Sequence, residues 1–339
     1  MTSEDRFVER LKELLPLRPG LLVGPGDDAA VVEIEEGRLV ATTDLLVEGV
    51  DFLPGEDPER VGRRAAAVNL SDLAAMGARP EFFLLSVAFL RQRGLEYPLA
   101  VARGALSRTA PFEAALAGGD LSEAPQTVVS IAFWGRPEAA PLLRSGAKPG
   151  DFVYVSGYPG RAAAGLRIAR MLHAFASQGA PPTPRLIGLD PTKEAELLAA
   201  YHDPVPRVAL GRALAREGLA HAAIDVSDGL GLDAGRLARA SGVRIVLERE
   251  RLPLSPALTA YAEVEFLDPI ELVLGGGDDY ELLFTSEAGA EGEVTAGNAG
   301  WGVAVHRVGV CEEGAGAILR DRAGDRNIAG LGFDHLAGS

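Results

Sequence analysis

TVVSIAFWGRPEAAPLLRSGAKPGD, residues 127–151, changes character partway along, and that change decides the reading of the fold. Seven of its first eight residues are apolar, β-branched or aromatic, the composition of a buried strand. From Gly135 onward Gly, Pro and small polar residues replace them, so a sheet ends and a connector begins. A domain boundary is placed here, with one domain over 1–137 and a second over 138–339. Working outward, the apolar runs at 29–34, 38–43, 82–90 and 127–134 predict strands, and the spacing over 58–76 and 95–109 predicts helices. Beyond the connector, strands are predicted over 151–156, 222–226, 243–247, 281–285 and 303–310. Helical patterns fall near 161–175, 193–201, 206–217, 229–240 and 290–299. Both halves mix the two element types, which sets the class as α/β (α+β). The Pro-rich stretch at 179–188 reads as a surface loop.

The 339 residues carry 33 Lys plus Arg against 48 Asp plus Glu, a formal charge of −15. No basic tract is present, which argues against nucleic-acid binding, because that depends on cationic side chains neutralising phosphates. The longest strongly apolar stretch, residues 82–90, is far shorter than the roughly twenty residues that cross a bilayer. No membrane association is therefore expected. Residues 1–15 alternate charges with Phe7, Leu11, Leu14 and Leu15 and read as an amphipathic helix, without the apolar core of a secretion signal. A single cysteine, Cys311, excludes an internal disulfide and a cysteine-rich zinc site, and a reducing, cytoplasmic setting is the default expectation. The five histidines show no metal-ligand spacing.

The chemistry is carried by aspartates beside glycines at predicted element ends: GPGDDAA (24–30), ATTDLLVEGVDF (41–52), NLSDLAAMGA (69–78), GGD (118–120), DVSDGL (225–230) and GGGDDYEL (275–282). Each alone is compatible with a turn or a helix cap. Together they require more. On the helix begun by Asp57 and Pro58, the series Val61, Ala65, Val68, Asp72, Met76 is an apolar stripe interrupted by one carboxylate. Burying that charge unpaired is costly, so Asp72 must be exposed at the helix end, paired with a base or bound to a cation. Asp225 and Asp228 bracket a strand-to-helix junction, where they cap the helix, hold a hard cation through oxygen ligands as Mg²⁺ prefers, or do both. NLSDL (69–73) and DVSDGL (225–230) share the skeleton [Asn/Asp]-apolar-Ser-Asp, which places similar chemistry in both halves. No G-x-x-x-x-G-K-[ST] occurs, and GPGDDA at 24–29 sets two carboxylates where a pyrophosphate would lie. Polyphosphate, if bound, has to be neutralised by metal ions held on aspartates.

With these residues assembled, the chain resembles the thiamine-monophosphate kinase family. GPGDDAAVV (24–32), TTDLLVEGVDF (42–52), AVNLSDLAAMGARP (67–80), GGDLSEA (118–124), RSGAKPGD (144–151), IDVSDGL (224–230), GGGDDYELLF (275–284) and GFDHL (332–336) stand in that family's order and spacing. The resemblance implies the two-domain fold shared with aminoimidazole-ribonucleotide synthetase. It implies an N-terminal ATP- and metal-binding domain that also forms a homodimer, and a C-terminal α/β domain that completes the active site. It further implies ATP- and Mg²⁺-dependent phosphorylation of thiamine monophosphate to thiamine diphosphate, the last step of thiamine diphosphate biosynthesis. By position, Asp28, Thr42, Thr43, Asp44, Asp72, Asp120, Asp225 and Asp228 match metal-site residues. Gly119, Asp120, Arg144 and Ser227 match ATP contacts, and Asp51, Asp278 and Phe333 match positions touching the thiamine phosphate. Arg144, Asp72 and Asp120 stand out as the catalytic set. Two positions depart from the family pattern: Asp51 stands where many relatives have His, and Asp278 where many have Glu.

The elementary chemistry agrees. Two phosphate-bearing reactants, each group at about −1.5 to −2 charges, meet in an acidic protein only with divalent ions between them. The attacking group is a phosphate oxygen already ionised, so no general base is needed, and catalysis reduces to positioning and charge stabilisation. Arg144 is either the fixed positive charge at the transferring group or a solvated linker arginine. Phe333 offers an aromatic face to the thiazolium or packs as a terminal core residue. Among rivals, a selenophosphate synthetase would need a reactive Cys or selenocysteine near the N-terminus, and the thiocyanate-forming maturation protein a terminal Cys; this chain has neither. A calcium module would need a D-x-[DN]-x-[DN]-G loop, which is absent.

Overall fold

The computed structural model describes residues 20–24, 26–35, 37–177 and 188–334, together with Thr2, Arg6 and Glu9. Of the segment expected as a helix over 1–15 only Thr2, Arg6 and Glu9 are described, and all of the loop expected over 179–188 except Gly188 falls outside the described residues. A first sheet is formed by β1 (Leu21–Val23), β2 (Ala30–Ile34), β3 (Gly37–Val47), β4 (Ala78–Phe89), β5 (Ala115–Glu123) and β6 (Val128–Pro137), in the order β1-β2-β3-β6-β4-β5. Helices α1 (Pro58–Ala75) and α2 (Glu96–Thr109) accompany it. In β4 and β6 the residues Phe83, Leu85, Val87, Val129, Ile131 and Phe133 are buried, while Leu84, Ser86 and Ser130 alternate onto the opposite, more open face.

The second half runs β7 (Phe152–Ser156), α3 (Arg161–Ser177), α4 (Pro191–His202), α5 (Val208–Glu217), β8 (Ala222–Val226), α6 (Leu230–Ser241), β9 (Arg244–Glu248), α7 (Pro256–Glu265), α8 (Pro269–Gly275), β10 (Glu281–Ser286), α9 (Glu291–Trp301), β11 (Val305–Glu312), β12 (Gly316–Asp321) and β13 (Gly324–Asn327). Its sheet has the order β13-β12-β9-β11-β7-β10-β8. Four helix starts follow one rule: Asp57–Pro58, Asp190–Pro191, Ser255–Pro256 and Asp268–Pro269 each set a capping side chain before a proline at the first helical position. The predicted strands and helices are present among the described residues. The sequence reading did not anticipate β1, β5, β12, β13, α7 and α8.

Helix α1 positions the site. It is buried on nearly every face, packing on α2, β3, β4 and β6 of its own half and on α5 and β8 of the other. One hydrophobic core accordingly runs through both halves, from Val61, Leu70 and Phe83 to Leu210, Leu214 and Phe284. The helices meet at Gly211 of α5, where a Cβ would lie 1.9 Å from the Ala74 carbonyl oxygen of α1. Gly211→Val is therefore expected to force the halves apart, at about 2 kcal/mol or more, and to lower the melting temperature by at least about 4 °C. Calorimetry checks this, and an unchanged melting temperature would refute the close approach.

Polar bonds fix the same junction. Buried Arg64 donates from Nη1 to the Tyr201 carbonyl at 2.7 Å and from Nη2 to Asp278 Oδ1 at 2.7 Å, and its guanidinium lies 4.6 Å from the Tyr201 ring centroid. His202 Nδ1 stands 3.1 Å from Glu56 Oε1, and Arg63 Nε donates to Asp203 at 3.2 Å.

Candidate functional site

Between the two halves lies a cavity of about 890 Å³. Asp28 reaches it from the loop before β2; Thr42, Thr43 and Asp44 from β3; Asp72 from α1; Asp225, Ser227 and Asp228 from the end of β8 and the start of α6. Arg144 lines it from the connector, Asp278 from the glycine loop before β10, and Phe333 from the C-terminal segment. Carboxylate oxygens of Asp28, Asp72 and Asp225 lie within 4.8 Å of one another, with Asp28 and Asp225 buried.

That proximity has an electrostatic cost. Burial, then the charges of Asp44, Asp225 and Asp28, push Asp72 well above the usual carboxylate range; the Thr42 hydroxyl, donating to Asp72 Oδ2 at 2.5 Å, only partly opposes this. Asp225 is likewise raised by burial and by Asp28, against a hydrogen bond from Ser71. Asp27 beside them is pushed up to about 6 by burial and by Asp28. Three carboxylates within 4.8 Å of one another, two of them buried, form an all-oxygen, anionic donor set of the kind that suits a hard divalent cation.

Arginines flank this cluster. Arg144 forks onto Asp28, Nε to Oδ2 at 3.1 Å and Nη2 to Oδ1 at 2.9 Å, and its backbone N–H donates to both oxygens of Asp27 at 3.2 Å. Burial works against the charge of Arg144, but Asp28 and Asp27 outweigh it and raise its pKa further. Arg236 on α6 pairs with Asp228 at 2.5 Å and with Asp233 at 2.9 Å.

Local structure explains the strand-to-helix junction. Asp233 Oδ2 accepts the backbone N–H groups of Ser227 and Asp228 at 3.2 and 3.0 Å, gathering the loop over the helix start. Gly229 takes φ +114, and a Cβ there would meet the Leu274 carbonyl at 2.8 Å, so the position tolerates only glycine. Residues 278–280 extend the edge of β8: the Asp278 and Tyr280 N–H groups donate to the Ser227 and Val226 carbonyls at 2.7 and 2.8 Å. Asp278 and Tyr280 sit at φ 71 and 51, an uncommon conformation held by those bonds and by Arg64.

Two expected residues lie away from that cavity. Gly119 and Asp120 lie on β5, an exposed edge strand, outside the cavity of a single chain. Gly119 has a packing reason of its own, since a Cβ would lie 1.8 Å from the Leu85 carbonyl of β4. Asp51 lines the cavity, but its Oδ2 accepts the Val47 N–H at 2.7 Å and closes a turn. Thr43 also bonds inward, donating to the Ile131 carbonyl at 3.0 Å. Reasoning from residues missed Ser71 and Arg64, whose partners become visible only in three dimensions, and Asp233 and Arg236, whose i,i+3 spacing on α6 was a signal that could have found them.

Two α/β halves closing over a carboxylate cluster define the class, and family models agree. "AIR synthase related protein, N-terminal domain" matches residues 26–136, and "AIR synthase related protein, C-terminal domain" matches 148–322. Within that class, the thiamine-monophosphate kinase of Escherichia coli K12 is 37% identical over 284 residues, covering 83% of this chain and 80% of that protein. The solved structure of AaThiL complexed with AMPPCP and TMP superposes with a TM-score of 0.82 at 30% identity, over 98% of this chain and 96% of that one. A thiamine-monophosphate kinase structure from Stenotrophomonas maltophilia K279a gives 0.73 at 34% identity, over 94% and 96%. The chain belongs to the thiamine-monophosphate kinase family, a family of enzymes.

Proposed function

We propose that this protein transfers the γ-phosphoryl group of ATP to the phosphate of thiamine monophosphate, giving thiamine diphosphate and ADP. The observation that carries this reading is the convergence of Asp28, Asp72 and Asp225, drawn from both halves, within one cavity. In it, Asp28, Asp44, Asp72, Asp225 and Asp228, with the Thr42 and Thr43 oxygens nearby, hold several Mg²⁺ ions. Bound Mg²⁺ supplies Lewis acidity and neutralises the charge of both reactants. Arg144 contributes a fixed guanidinium at the transferring group, and Ser227 lies beside the nucleotide. No side chain has to remove a proton, because the attacking phosphate oxygen is ionised.

Toward the acceptor, Phe333 presents a half-exposed ring and Asp278 a carboxylate held by Arg64, types suited to a cationic thiazolium. Asp51 we assign to shaping the wall through its turn. The division at 137/138 separates a metal-binding half from the half that completes the site. A homodimer is proposed through the open face of the first sheet, where Leu45 and Leu84 are exposed beside the fully exposed strand β5. Gly119 and Asp120 lie on that strand, so any role at a nucleotide or metal belongs to the assembled dimer. No described helix is long and apolar enough to cross a membrane, and a cytoplasmic setting accords with the lone, buried Cys311.

In an ADP-release assay, thiamine monophosphate is expected to be used at least about a hundredfold better than thiamine, because only the former brings the anionic acceptor that the cations are arranged to receive. Equal rates would overturn the assignment.

A further inference from the structure

The two short echoes, NLSDL at 69–73 and DVSDGL at 225–230, meet in space. Ser71 of the first is fully buried on α1, and its Oγ donates to Oδ2 of Asp225 in the second at 2.7 Å. The bond crosses from the helix of one half to the strand end of the other, between residues 154 positions apart. Asp72, the next residue round the helix, faces Asp28 and Asp225 in the carboxylate cluster. Consecutive residues of α1 thus supply one carboxylate and the hydroxyl that restrains another.

We propose that Ser71 is a positioning residue for the metal cluster: its hydroxyl holds the Asp225 carboxylate, the contribution of the second half, in the orientation that faces Asp28 and Asp72. This rests on the metal reading given above. The chemistry is that of outer partners to metal ligands, which fix the side chain that coordinates and whose loss lowers metal affinity about tenfold or more. It is the counterpart, across the junction, of Thr42 on Asp72. A hydroxyl serving only to join the halves would influence stability and leave metal affinity untouched.

The test is Mn²⁺ binding to the full chain without nucleotide, followed by electron paramagnetic resonance. Ser71→Ala is expected to weaken binding about tenfold or more, and Ser71→Cys, which keeps a group of similar size and loses the strong donor, to do the same. In an Asp225→Asn background, Ser71→Ala is expected to add less than about a twofold effect, because both changes act through one carboxylate. Unchanged Mn²⁺ affinity in Ser71→Ala and Ser71→Cys, or a full tenfold loss that persists in the Asp225→Asn background, would overturn the role of Ser71 alone. A parent chain that binds no Mn²⁺ would overturn the metal reading of the cavity and this role with it.

Discussion

Asp72→Asn is expected to lower turnover by about a thousandfold, some 4 kcal/mol of transition-state stabilisation, while the protein melts at the same temperature or higher. The opposite directions follow from one environment. Asp72 is pressed by the charges of Asp44, Asp225 and Asp28 in a buried site, so neutralising it relieves repulsion in the metal-free protein. The amide oxygen still accepts from Thr42, so the local fold persists. What is lost is an anionic oxygen in the cluster. Steady-state assays across Mg²⁺ concentrations, paired with calorimetry, separate the two effects. A variant that retains full turnover would remove Asp72 from the metal site, and one that melts far lower would mean that the carboxylate supports the fold.

Metal-free protein is expected to lose stability steadily as pH rises from about 5 to 8, the reverse of ordinary acid denaturation, with Mg²⁺ restoring most of the loss at the upper end. Burial raises Asp27 to about 6, Asp233 to about 7 and Asp279 to about 8, and holds Asp72 and Asp225 high as well. Across this window the folded chain binds more protons than the unfolded one, whose carboxyls are already ionised near 4. Stability is therefore present in full below the unfolded values and falls as pH climbs through the folded ones. Carboxyls held low by partners, such as Glu48 beside Arg93 and Glu56 beside His202, act below about 5 and leave the window unchanged. Calorimetric scans with and without Mg²⁺ decide the matter; a melting temperature that rises with pH in chelator would contradict the raised carboxyls.

Much of the fold is written in local pattern. The apolar stripe of α1 and its interruption at Asp72, the alternation in β4 and β6, and the proline-marked helix starts can all be read without coordinates. Strand β5 cannot: ALAGGDLSE carries two glycines and no alternation, and it is a strand only because β4 lies alongside to pair with it. The cavity shows the same divide. Asp28, Asp72 and Asp225 are marked by carboxylates in places where charge is costly, whereas Arg64 finds Asp278, and Ser71 finds Asp225, across separations that no spacing rule spans. Asp51 lines the cavity, and its type and neighbours announce that much, while the turn it closes through the Val47 N–H is a backbone matter visible only in the fold.

The burial of α1 by both halves has an implication for how such a protein can change over evolutionary time. A side chain altered on one flank of that helix is felt by the opposite neighbour, so the halves cannot be exchanged with those of a distant cousin as independent cassettes. A change of volume on that shared axle calls for a matching change in the opposite half, because the seam is packed from both sides.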